Sequence, residues 1–149
     1  MMKGGCIINM EYFTGETIKS IELNDDKTSI TITTNITTYI LDGDGGYRNR
    51  SYLETDMSEI NKLIGETIID WDCSQAWQGA DNIYFYDFNT LNHHIQIRFC
   101  GEDDTYYGAE VEIDRLPSEK DLYDKIVKFE NEIEKIKKEI SERFGGLND

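Results

Sequence analysis

Five carboxylates stand at alternate positions in two short stretches of the chain: Asp70 and Asp72 in one, Glu110, Glu112 and Asp114 in the other. If both stretches are strands, alternation turns each set to a single face, with successive carboxylates roughly 7 Å apart. That pitch is comparable to the phosphate spacing along one nucleic-acid strand. A rigid row of this kind can occupy Lys/Arg clefts built for a phosphate backbone and share its counterion-release advantage. Glu102, Asp103 and Asp104 add three acids at an adjoining turn. The plainer explanation is that a sheet with one wet face carries polar residues at alternate positions anyway. Acid–base catalysis is the other use of paired carboxylates. It needs a buried, charge-perturbed setting that separates their pKa values, and the neighbouring residues offer none.

The remaining candidates for chemistry are weaker. Asp42-Gly-Asp44-Gly-Gly opens like a calcium loop, but position 6 is Tyr47 and position 12 is Leu53, where the loop needs Gly and Glu. A Gly-rich turn is expected there. His93 and His94 are adjacent, so on a strand they point to opposite faces and cannot chelate one ion together. Cys6, Cys73 and Cys100 are widely spaced without a C-x-x-C pair. They read as three reduced thiols in a reducing compartment. No P-loop, G-x-G-x-x-G, G-x-S-x-G or H-E-x-x-H motif occurs. Neither an enzyme nor a cofactor nor a metal site is expected.

The elements that must position these groups follow from periodicity. Period-two alternation predicts strands at 17–23, 29–33, 36–41, 67–72, 82–88, 94–100 and 106–114, joined mostly by short turns. The expected fold is therefore α+β: one antiparallel sheet of about seven strands, a short helix and a long C-terminal helix. The short helix spans 56–64, with Asp56 as cap, Ile60, Leu63 and Ile64 as its apolar stripe, and Gly65 as its stop. Gly15-Glu16-Thr17-Ile18 recurs as Gly65-Glu66-Thr67-Ile68, each just before a strand. Coincidence or one turn used twice explains the recurrence more simply than duplication. It hints at two similar corners. Trp71, Trp77, Tyr84, Phe85, Tyr86 and Phe88 interleave with the acidic segment. They are core residues first, and any left exposed would anchor a protein partner.

Pro117 divides an acidic sheet region, 1–116, from the helix region, 117–149, within one domain. Ser118 and Asp121 can form a capping box, and Gly145-Gly146 ends the helix. Between them Leu122, Ile126, Phe129, Ile133, Ile136 and Ile140 are spaced 4, 3, 4, 3, 4, a heptad seam. Such a helix either packs across a sheet face or pairs with a copy of itself or a partner.

The 149 residues carry 30 acids and 15 bases, a net charge of −15. The helix region from Ser118 onward holds 9 acids against 7 bases, whereas 70–114 holds 10 against Arg98 alone. Direct binding to nucleic acid or an anionic membrane is disfavoured. No apolar run is long enough to span a bilayer, and a cytoplasmic location is expected.

Three segments, Tyr39-Ile-Leu-Asp-Gly-Asp44-Gly-Gly, Leu63-Ile-Gly-Glu-Thr-Ile68 and Ile97-Arg-Phe-Cys-Gly101-Glu-Asp-Asp-Thr-Tyr106-Tyr-Gly, resemble an uncharacterised family of small phage and bacterial proteins. Gly45-Gly46 stands where that family has paired cysteines. The resemblance implies a phage or mobile-element origin and no activity. In general character the chain is similar to small acidic phage inhibitors of host defence, of the anti-CRISPR and anti-restriction kind. The expected function is thus non-catalytic inhibition of a basic nucleic-acid-binding protein, a nuclease or a CRISPR or restriction component, by nucleic-acid mimicry. The alternatives are an interaction module acting through its C-terminal helix, with a possible homodimer, and, third, a small metal- or ligand-dependent enzyme.

Overall fold

A computed structural model describes residues 3–5, 11–46, 50–78, 81–101 and 111–145, with backbone alone at 3–5, 78 and 81. The chain divides into two compact units, Met1–Leu116 and Pro117–Asp149. The first contains β1 (Lys3–Gly5), β2 (Ile18–Leu23), β3 (Ser29–Thr34), β4 (Thr38–Asp42), β5 (Ser51–Leu53), α1 (Met57–Ile60) with a 3-10 turn at Asn61–Leu63, β6 (Asp70–Gln78), β7 (Asp81–Asn89), β8 (His94–Gly101) and β9 (Glu112–Arg115). The second is α2 (Glu119–Phe144).

The α+β class holds, but the single sheet of about seven strands does not. The strands form two antiparallel sheets, ordered β1-β6-β7-β8-β5 and β2-β3-β4-β9. Alternation marks strands and their faces, whereas membership of a sheet is decided by long-range pairing that local pattern does not encode. One apolar cluster joins the two sheets, as expected when each needs a cover for its apolar face. Ile18, Ile21, Ile30, Ile32, Tyr39 and Leu41 come from β2–β4; Trp71, Tyr84, Tyr86, Phe88, Ile97 and Phe99 come from β6–β8. Phe13 sits between them, fully buried, its ring centroid 4.0 Å from that of Tyr39, 5.1 Å from Trp71 and 5.0 Å from Phe88. Its φ of 63° is a left-handed conformation that a bulky side chain rarely adopts. Burial against three aromatic rings holds it there.

The repeated tetrapeptide turns out to be the centre of the design. Gly15 and Gly65 both have positive φ, 80° and 88°. Each closes a turn in which the Glu amide donates to the carbonyl three residues back, Glu16 to Phe13 and Glu66 to Leu63. The two copies then pair antiparallel with each other about Thr17 and Thr67. The Gly15 amide donates to Ile68 and Gly65 to Ile18; Ile18 donates to Glu66 and Ile68 to Glu16. The two threonine hydroxyls meet at 2.7 Å.

From this local two-fold each copy runs out as the same plan. A three-strand meander follows, β2-β3-β4 or β6-β7-β8, then a fourth strand and a capped helix. The fourth strands are exchanged: β5 leaves the first copy to pair with β8, and β9 leaves the second to pair with β4. One turn used twice, the simpler expectation, understates this arrangement.

Local signals account for the helices. Asp56 accepts from the Ser58 amide and caps α1, which buries Ile60, and Leu63 is buried in the following turn. That hydrogen bond holds the Asp56 carboxyl below the usual range. Helix α1 is shorter than the predicted 56–64, because its second turn is 3-10. The Ser118–Asp121 capping box and the left-handed Gly145 cap of α2 form as the sequence indicates. Strand β6 runs to Gln78 instead of ending at 72: Cys-Ser-Gln-Ala lacks strand propensity, and nine pairs with β7 override it. The expected strand 106–114 lies partly outside the described residues, and β9 covers its end. The expectation of three reduced thiols is corrected. Cys73 is disulfide-bonded, Cys100 retains its thiol, and Cys6 lies outside the described residues. No helix among the described residues is long and apolar enough to cross a membrane.

Candidate protein-binding surfaces

Asp70 and Asp72 project from β6 on the face opposite Trp71 and Cys73, which belong to the core, and both are exposed. Register gives them neighbours that sequence reading missed. Asp70 stands opposite Asn89, which stands opposite His94; Asp72 stands opposite Asp87, which stands opposite Gln96. The amide of Asn89 donates to Asp70 at 2.5 Å, and that of Gln96 donates to Asp87 at 3.0 Å. His94 Nε2 lies 3.5 Å from the same Asp87 oxygen, and its Nδ1 meets the Asn89 carbonyl. Asp72 accepts from the Cys73 amide at 2.8 Å. Asp72 against Asp87 is a like-charge cross-strand pair, an arrangement that costs stability.

Further along this face the character changes. Phe85 lies opposite Arg98, whose guanidinium stands 5.7 Å from the ring centroid, and Arg98 Nε meets Glu54 at 2.7 Å. Phe85 is the partly exposed aromatic nearest the acids; Trp77, 40% exposed, is the other, while Trp71, Tyr84, Tyr86 and Phe88 are core. Burial pushes the Tyr86 phenol well above its usual range. Trp71 Nε1 is buried without a hydrogen-bond partner among the described residues.

Glu112 and Asp114 are exposed on β9, in the other sheet, on the side opposite Ile113, which packs on the core. Glu112 faces Asp42, a second like-charge pair. The two carboxylate rows therefore lie on different sheets, each turned away from the shared core, and do not form one surface. Glu102, Asp103, Asp104 and Glu110 lie outside the described residues. Alternation revealed which acids share a face; Asp42 and Asp87 became visible only through register.

The Gly-rich loop spends its acids on itself. Asp42 accepts from the Asp44 amide at 2.9 Å, and Asp44 accepts from Gly46 at 3.0 Å and meets Arg50 at 3.3 Å. Gly43 is required here, because a Cβ would lie 2.6 Å from the Ser51 carbonyl. Among the described residues no group of three or more His, Cys, Asp or Glu is placed to hold a metal ion.

The seam of α2 is an exposed apolar stripe. The 26-residue helix buries no side chain. Leu122, Ile126, Phe129, Ile133 and Ile136 are each 50–55% exposed, and Ile140 is half-buried. On the helix's charged flanks Glu134 meets Lys137 at 3.8 Å and Glu139 meets Arg143 at 3.3 Å. The stripe is flanked by charged residues along the whole helix.

Compared with protein-family models, curated proteins and solved structures, the chain matches none of them.

Proposed function

We propose that the protein is a non-catalytic binding protein whose working surface is the seam of α2. The observation that supports this is the exposure of five consecutive seam residues on a helix that buries nothing. Ridges of that spacing fit a facing helix, and water is a poor cover for them. The test is Ile133→Asp combined with Ile136→Asp, substitutions that touch no core residue. The unfolding midpoint of unit 1–116, read from its buried aromatic residues, should stay unchanged, while association measured by sedimentation should be lost. Unchanged association would remove the seam from the reading.

A second reading is favoured by the acidic end of the β6–β7–β8 face, where Asp72 and Asp87 are held opposed beside Asp70. A basic nucleic-acid-handling protein is the partner such a face suits, in the manner of an anti-CRISPR or anti-restriction inhibitor of phage origin. That role places the protein in the host cytoplasm. The disulfide at Cys73 is more at home in an oxidising compartment, so this reading ranks below the first. Asp70→Lys with Asp72→Lys, assayed against purified nucleases across a salt series, tests it. Salt-insensitive or unchanged binding counts against mimicry.

A further inference from the structure

We propose that the seam of α2 is covered by a second copy of the same helix, parallel and in register, so that the protein is a two-stranded homodimer; this rests on α2 being the working surface. Set as a heptad, the seam places Ile126, Ile133 and Ile140 at a and Leu122, Phe129 and Ile136 at d. Tyr123, Glu130, Lys137 and Phe144 then occupy e, and Lys125, Glu132 and Glu139 occupy g.

The flanking charges choose the partner and its direction. In a parallel pair each g residue faces the e residue of the next heptad on the partner. Lys125 then meets Glu130, and Glu132 meets Lys137; symmetry makes each contact twice. All four are attractive, and Glu139 meets the uncharged Phe144. An antiparallel pair sets g against g and e against e. The register overlapping all six seam residues joins Lys125 to Glu139 twice, but it opposes Glu132 to Glu132 and Glu130 to Glu130. A helix from another protein would have to supply the complementary pattern that α2 already carries for itself. Ile at every a position with Leu122 at d suits two strands; Phe129 and Ile136 fill the other d positions, and a parent that sediments at trimer or tetramer mass overturns the two-stranded count. At 26 residues, about 39 Å, the helix spans more than three heptads, enough to sustain a coiled coil.

The test uses two variants of the full chain. One reverses g, Lys125→Glu with Glu132→Lys; the other reverses e, Glu130→Lys with Lys137→Glu. Each should self-associate about a hundredfold more weakly than the parent, since four attractive contacts become repulsive. Mixed in equal amounts they should form a heterodimer of parental affinity. Direction is read separately from Leu122→Cys under mild oxidation, which should give a covalent dimer where the parent gives none. Sedimentation of the parent at monomer mass overturns the inference. If Ile133→Asp then still abolishes binding to another protein, the reading of α2 as working surface survives; if it changes nothing, both fall. A parent dimer whose Leu122→Cys form does not cross-link, or whose swapped variants fail to recombine, overturns the parallel pairing.

Discussion

The two copies of the repeated plan differ most where they end. The first, from Phe13 through α1, closes on a helix of four residues and a 3-10 turn that bury Ile60 and Leu63. The second, from Leu63 through α2, closes on a helix of 26 residues that buries none. Both helices begin on a side-chain cap just after an exchanged strand. They diverge because Gly65 ends the first against a core, whereas the second continues as heptads until Gly145. The β frame is thus a matched pair, and among the described residues eight of the fourteen large exposed apolar side chains lie in the element that broke the match. The contrast sets α2 apart from its counterpart α1.

The largest effect should come from breaking the shared junction. Phe13 and Leu63 open the two Gly-Glu corners, and both are fully buried. Phe13→Ala should cost about 3–5 kcal/mol in urea unfolding, and Leu63→Ala about 2–5 kcal/mol. If one costs under about 1 kcal/mol, the two corners are not energetic equivalents.

The paired glutamates should separate the copies more sharply. Glu16 is buried and accepts from the Thr34 and Tyr39 hydroxyls, each at 2.6 Å. Glu66 is partly exposed and accepts from Thr90 at 3.0 Å and Asn92 at 3.4 Å. Glu16→Ala removes the acceptor of the buried Tyr39 hydroxyl and leaves Thr34 only the Thr37 carbonyl, and should cost about 1–3 kcal/mol, against about 0.5–1 kcal/mol for Glu66→Ala. Equal losses would mean that burial does not distinguish them.

Alkali should probe both meanders at once. Desolvation, with the hydrogen bond to Glu16, raises the Tyr39 phenol, and desolvation raises Tyr86. Neutral phenols are therefore favoured by folding. Their contribution is complete below the ordinary tyrosine value of about 10 and is lost as pH rises through the raised values. The urea midpoint should fall above about pH 10, and Tyr39→Phe should flatten that fall without abolishing it. A midpoint independent of pH up to 12 in the parent, on the order of two units beyond the ordinary value, would argue that neither phenol is desolvated.

How much of this was legible follows from how local each signal is. The α2 seam is written in a 3.5-residue period and both its caps in single residues, so it could be read directly. The repeated Gly-Glu-Thr-Ile was visible as a string, but its self-pairing joins residues fifty apart. Strand β5 has only Ser51, Tyr52 and Leu53 and shows no alternation to find; without it the exchange of fourth strands is invisible. The acids told which face they share, while Asp87 and Asp42 entered the surfaces only through cross-strand register.

The corner glycines should give matched, moderate losses. With φ at 80° and 88° and open space around each Cβ position, Gly15→Ala and Gly65→Ala are penalised by backbone conformation alone, about 1 kcal/mol apiece.

The finest test lies on the two-fold itself. Thr17 and Thr67 share one hydroxyl–hydroxyl hydrogen bond at the surface, so each hydroxyl can turn to water when its partner is removed. Thr17→Ala and Thr67→Ala should therefore cost little separately, and by the same amount if the axis is real. Their double-mutant cycle should show a coupling of about 0.5–1 kcal/mol. Zero coupling would reduce the corner to backbone pairing. Unequal single losses would mean that the two copies, matched in hydrogen bonds, have drifted apart in what supports those bonds. The divergence displayed by the helices would then already begin at the axis.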